Sequence, residues 1–225
     1  MKRLLLLVIA LMAPAAAHAQ DKARVGVFSF EFGTVKSESD AAFGTSVDVG
    51  KGMAELIVNA LVRSGKVDVY ERERLETIIK EQDITNSSRF DPKAAAAIGR
   101  NVGVQAVVIG SITRLGQQEI GFGVKRSEAA LAITGRVIDT STGQILFTFN
   151  GDGREKQFGF SIADFKQLIN LPGAVKWGTQ AADWLAPTFT ESLMGRAMVA
   201  AAAKGTLDIV NQLAARPVAL SGLLK

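Results

Sequence analysis

Apolar and polar positions change period twice along this chain. Arg24-Val-Gly-Val-Phe-Ser-Phe30 reads as a first strand, and a loop rich in Gly, Ser, Thr and Asp follows from about 31 to 50. Met53, Leu56, Ile57, Ala60 and Leu61 then recur at helical spacing, and Gly65 is a natural C-terminal stop. Val67 to Tyr70 predicts a short strand, and Leu75, Ile78 and Ile79 share one face of a second helix over 71–82. Asp91-Pro92 offers an N-cap with proline at the first helical position, opening a helix that ends near Gly103. Gln105 to Ile112 is strongly apolar and predicts a central strand. Residues 131–139 and 144–150 predict two more, joined by the turn at 140–143. The region 191–213 predicts a long alanine-rich helix, with Leu193, Met194, Ala197, Met198, Ala201, Ile209 and Leu213 among its apolar positions. Met194, Met198 and Leu213 read as core. The elements together predict one mixed α/β (α+β) domain.

Two stretches alternate with period two. In 118–133, Ile120, Phe122 and Val124 share one parity, while Glu119, Gly121, Gly123 and Lys125 share the other. In 155–180, Phe158, Phe160 and Ile162 alternate with Gln157, Gly159 and Ser161. Such a pattern suits a strand between two media, lipid and a watery lumen being one pair. It also suits a soluble sheet with one buried face. Each apolar stripe has about three outward positions before Gln118 or Asp164 intrudes, whereas a spanning strand needs roughly nine to eleven residues.

The amino terminus has the form of a secretory signal over 1–19. Lys2 and Arg3 open it, Leu4 to Leu11 form an apolar core, and Ala17-His18-Ala19 is a small-residue cleavage site. The mature domain is then expected over 20–225. Cleavage would remove the single His, and the chain has 0 Cys. Zinc sites, Ser-His-Asp triads and Cys-His pairs therefore lack their residues in the mature chain. Loss of Lys2 and Arg3 lowers the basic count from 26 to 24 against 22 acidic residues, about +2. No basic block interleaved with aromatics appears, so no nucleic-acid partner is expected. No later run of apolar residues is long enough for a spanning helix.

Candidate chemistry is sparse. Gly50-Lys51 fails as a phosphate loop, because the spacing from Gly44 is one too long and Gly52 replaces the Ser or Thr after lysine. Gly121-Phe-Gly123 lacks a third glycine. Glu71 to Arg74 alternate in sign like a solvated helix start. Glu31, Glu38 and Asp40 share a loop and are the candidates for a carboxylate-only enzyme or a cation. The expectation is a non-enzyme with no cofactor.

The segments AELIVNALVRSGKVDVYERERLETIIKEQ at 54–82, VVIGSITRLG at 107–116 and ALAITGRVIDTSTGQIL at 130–146 together resemble the CsgG family of curli secretion proteins. IADFKQLINLPGAVKWGT at 162–179 is similar to the family's second membrane hairpin. The resemblance implies a homo-oligomeric ring in the outer membrane that exports an unfolded secreted protein, with periplasmic accessory proteins as further partners. Each subunit would give a periplasmic domain and two β-hairpins, at 116–137 and 154–184, to one shared β-barrel. Implied lipid-facing positions are Ile120, Phe122, Val124, Leu131 and Ile133 in the first hairpin. In the second they are Phe158, Phe160, Ile162, Val175 and Trp177. Trp177 and Trp184 would serve as interface anchors. The family's constriction loop corresponds to 42–47: Phe43 falls at its phenylalanine, Ala42 replaces an asparagine, and Glu38 sits near a tyrosine. Curli-type members carry a lipidated cysteine that this chain lacks. Four strands cannot close a barrel alone, so insertion would require oligomerisation. The alternatives are a soluble periplasmic adaptor and the carboxylate enzyme.

Overall fold

The computed structural model describes residues 22–43, 47–70, 77, 91–120, 126–158 and 183–215. Five strands form one mixed sheet: β1 (Ala23–Val27), β2 (Val67–Tyr70), β3 (Ala106–Ile120), β4 (Arg126–Asp139) and β5 (Ile145–Phe158). Their order is β2-β1-β3-β4-β5. β1 pairs parallel with β2 and β3, and β3–β4 and β4–β5 are antiparallel. The second helix expected over 71–82 lies outside the described residues except Thr77.

The helices are α1 (Lys36–Phe43), α2 (Val49–Ser64), α3 (Pro92–Val102), α4 (Pro187–Thr190) and α5 (Leu193–Ala214). Local chemistry sets their ends. Asp48 accepts from Lys51 N at 2.8 Å to start α2, and Gly65 at φ 64 ends it. Asp91 accepts from Lys93 N and Ala94 N, both at 3.0 Å, ahead of Pro92. Gly103 then closes α3 at φ 84. Ser192 caps α5 by accepting from Gly195 N at 3.0 Å.

The sheet has a core on each face. α2 and α5 cover one, burying Val25, Val108, Ile112, Leu115, Leu131 and Phe149 among others. α3 covers the first part of the other, over Phe28, Val107, Ile109 and Ile138. Thr140 locks the β4–β5 turn to this side, donating to Val104 O at 2.7 Å. Its neighbour Asp139 accepts from Ser141 N, Ser141 Oγ and Thr142 N.

A β-bulge at Thr113 interrupts the β3–β4 register between Ile112 and Arg114. Ile112 and Leu115 are three residues apart, yet both enter the α2–α5 core. An extra residue on one strand turns the side chains beyond it to the other face. β5 has no second strand partner among the described residues.

Candidate functional site

The segment after β1 is not the loop its composition suggests. Glu31 bridges to β3, donating from N to Gly110 O at 2.8 Å, while Ile112 N donates to Glu31 O at 2.7 Å. A 3-10 turn at Gly33–Val35 leads into α1. Val35 of the turn and Ser39 and Phe43 of α1 are buried, four residues apart. Gly50 lies where a Cβ would overlap the Phe30 carbonyl, so α2 begins hard against the segment that follows β1.

Phe43 ends α1 at 6% exposure. Its ring centroid lies 6.0 Å from Trp184 and 6.4 Å from Phe189, and those two meet edge-on at 5.0 Å. Within one chain Phe43 is therefore a core side chain, not a free loop aromatic. Ala42 is half-buried against the same core, and Glu38 is exposed. The Ser37 hydroxyl, 2.8 Å from Glu38 Oε2, and the residue's own backbone N–H hold that carboxyl below the usual range. Asp40 is paired with Lys36 Nζ at 2.8 Å. Among the described residues no group of three or more His, Cys, Asp or Glu could hold a metal.

Trp184 also departs from expectation. At 2% exposure it lies over α2, where a Cβ on Gly52 would strike its indole, so it is no interface anchor in this chain.

β4 and β5 alternate in burial over most of their length. Ser127, Ala129, Leu131, Ile133, Gly135 and Val137 of β4 face inward, as do Phe147, Phe149, Gly151 and Gly153 of β5. α5 runs across both strands on that side. A Cβ on Gly151 would overlap the Ala201 carbonyl oxygen, and one on Gly153 that of Ala197, so the helix sits directly on the strand backbone. Leu131 and Ile133, at 1% and 2% exposure, lie beneath this helix. This corrects the expectation that they face lipid: their odd numbering puts them in the inward row.

The other face of the same strands, beyond α3, is bare. Its cross-strand rows are Ser111–Thr134–Asn150, Arg114–Ala132–Asp152, Gly116–Ala130–Arg154 and Gln118–Glu128–Lys156. Lys156 Nζ is 3.7 Å from Glu128, and Lys204 of α5 reaches round the sheet edge to Asp152. Lys204 holds the Asp152 carboxyl below its usual range, first through the hydrogen bond and then by charge, with Arg154 and Arg114 adding to it.

Ile120 and Phe158 end β3 and β5, and only their backbone is described. Phe122, Val124, Phe160, Ile162, Val175 and Trp177 lie outside the described residues, as does the signal segment. No helix among the described residues is long and apolar enough to cross a membrane.

A groove of about 620 Å³ between α2 and α5 was not foreseen. Leu56, Ala60, Leu185, Val199, Leu207 and Val210 line it. Its signal in the sequence is the second apolar stripe of α5, Val199, Ala203, Leu207 and Val210, opposite the alanines that meet the sheet.

A search of curated proteins finds no significant match. A solved structure of the hypothetical protein CT253 from Chlamydia trachomatis superposes with a TM-score of 0.54 at 14% identity, covering 86% of this chain and 99% of that one. At that identity the likeness is one of fold. The LpoB C-terminal domain from Escherichia coli is 18% identical, with a TM-score of 0.40 over 65% of this chain and 91% of that one. The PelC dodecamer from Paraburkholderia phytofirmans is 16% identical, with a TM-score of 0.36 over 63% and 76%. The profile of one family, described as curli production assembly/transport component CsgG, matches residues 9–219, nearly the whole sequence. The chain belongs to the CsgG family.

Proposed function

We propose that this chain is a non-enzymatic subunit of a ring-shaped secretion channel in the outer membrane, passing an unfolded polypeptide from the periplasm. The observation that carries the reading is the length of β3, β4 and β5. β1 has 5 residues and β2 has 4, while β3 has 15 and β4 and β5 have 14 each. The sheet thus runs on as an antiparallel ribbon past the parallel part, toward the two segments with alternating apolar positions. An open strand edge is not tolerated in lipid, so such a ribbon would enter a membrane only by pairing with neighbouring subunits. Family membership supports the same role. In the ring, the 42–47 segment would lie near the passage, with Glu38 and Ala42 more accessible than Phe43.

A soluble periplasmic adaptor is the second reading. The coverage of Leu131 and Ile133 by the chain's own helix favours it, since a sheet with one helix-covered face is complete in water. One experiment separates the two. The mature protein, purified in detergent, is sized by light scattering and added to planar bilayers. The channel reading expects a ring that conducts ions. A detergent-free monomer with no conductance sinks it.

A further inference from the structure

On the bare sheet face, charges are unevenly matched. Lys204 pairs with Asp152 and Lys156 with Glu128. Arg114, Arg136 and Arg154 are exposed and make no ion pair among the described residues. Arg114 and Arg154 stand diagonally across a floor of the small residues Gly116, Ala130 and Ala132, and both act by charge on Asp152, whose carboxylate already pairs with Lys204. Their place along the strands is also specific. After the bulge, Arg114, Gly116 and Gln118 share parity with Ile120, Phe122 and Val124 in the sequence, and Arg154 and Lys156 share it with Phe158, Phe160 and Ile162. On both strands an arginine therefore precedes an apolar series by a few residues.

We infer that Arg114 and Arg154 form a contact for anionic phospholipid headgroups at the periplasmic surface of the membrane. The inference rests on the channel reading, which puts the apolar series in lipid. A guanidinium is suited to the task, because its planar fork donates two hydrogen bonds to one phosphate and keeps its charge at every relevant pH. Basic residues flanking a membrane-inserted segment gain about 1 kcal/mol each from an anionic surface, within a Debye length. Arg136 is an internal control. It lies four residues along β4 from Ala132, roughly 13 Å farther from the apolar series at 3.4 Å per residue.

The test is flotation of the mature protein with vesicles of phosphatidylcholine alone or mixed with phosphatidylglycerol, at low and high salt. The expected result is stronger partitioning to the mixed vesicles, weakened by salt. Arg114→Gln/Arg154→Gln should lower it about 30-fold, the effect of two surface cations, with an unchanged melting temperature. Arg136→Gln should stay within about threefold of the parent, since charge is largely screened beyond one Debye length. Equal partitioning of the double variant and the parent overturns the inference, as does an equal loss in Arg136→Gln. So does binding that polyglutamate abolishes on both kinds of vesicle, which would assign the arginines to an acidic polypeptide. Conductance of the same preparations separates the two readings. A conducting ring without phosphatidylglycerol preference overturns only the lipid contact. A chain that neither floats nor conducts with any lipid overturns both.

Discussion

The ring of Phe43 meets the indole of Trp184 edge-on, 6.0 Å between centroids and 72° between planes. That contact joins the end of α1 to the chain just before α4, two segments 141 positions apart in sequence (184 − 43). Phe189 completes the cluster, and Gly52 of α2 leaves room for the indole.

Phe43→Ala should therefore act on stability first. Truncating a buried phenylalanine costs about 3–5 kcal/mol, and the leucine variant should recover part of it. Urea unfolding followed by tryptophan emission is the measurement. A midpoint equal to that of the parent would show that the ring is not packed as described.

Gly153→Ala adds one carbon where the Ala197 carbonyl already stands. Overpacking of this kind costs about 1–3 kcal/mol. Gly116→Ala is the matched control, because a Cβ there has nothing within 4 Å. It should change stability by less than about 0.5 kcal/mol. Thermal melts of the two variants side by side decide whether α5 rests on the strand backbone.

Asp139→Ala removes the acceptor for Ser141 N at 2.7 Å, Ser141 Oγ at 2.6 Å and Thr142 N at 3.1 Å. The loss should be about 1–3 kcal/mol. Asp139→Asn retains one side-chain oxygen and should lie between the two. If the alanine variant unfolds at the parent's urea concentration, the turn does not depend on this side chain.

Asp152 makes the acid limb of stability partly its own. Its carboxyl titrates lower in the folded chain than in the unfolded one, chiefly because of Lys204. The stabilisation it gives is present above the unfolded pKa and disappears as pH falls through the folded value. Asp152→Asn should then lose less melting temperature between neutral pH and pH about 3, just below the usual carboxylate range. The effect should be small and weakened by salt, because the pair is exposed. Parallel pH profiles of parent and variant would count against the pair.

Where local chemistry carried the signal, the chain was legible: Gly65, Asp91-Pro92 and Gly103 mark helix ends in sequence and structure alike. α1 carries little periodic signal because its inward positions are only Ser39 and Phe43, one of them polar, in line with Val35 of the turn before it. The reach of β5 was missed for a different reason. Its inward residues at 151 and 153 are glycines, which carry no hydrophobic signal, yet glycine is what the helix backbone requires there. The side taken by Leu131 and Ile133 is set by their pairing with Leu115 and Ile112 across the β3–β4 register, which no local pattern in β4 reveals. Phe43 stood out in the sequence, but its burial depends on Trp184 and Phe189, far along the chain.

The supernumerary residue at Thr113 makes β3 one strand with two reading frames. Before it, even-numbered side chains such as Val108 and Ile112 enter the α2–α5 core; after it, odd-numbered ones such as Leu115 do. Were Thr113 paired in a regular ladder instead of bulged, the strand beyond it would slip by one residue, turning Leu115 out to water and Arg114 in under the helix. The bulge, and not the apolar pattern alone, thus decides which side of the ribbon is oily and which is charged.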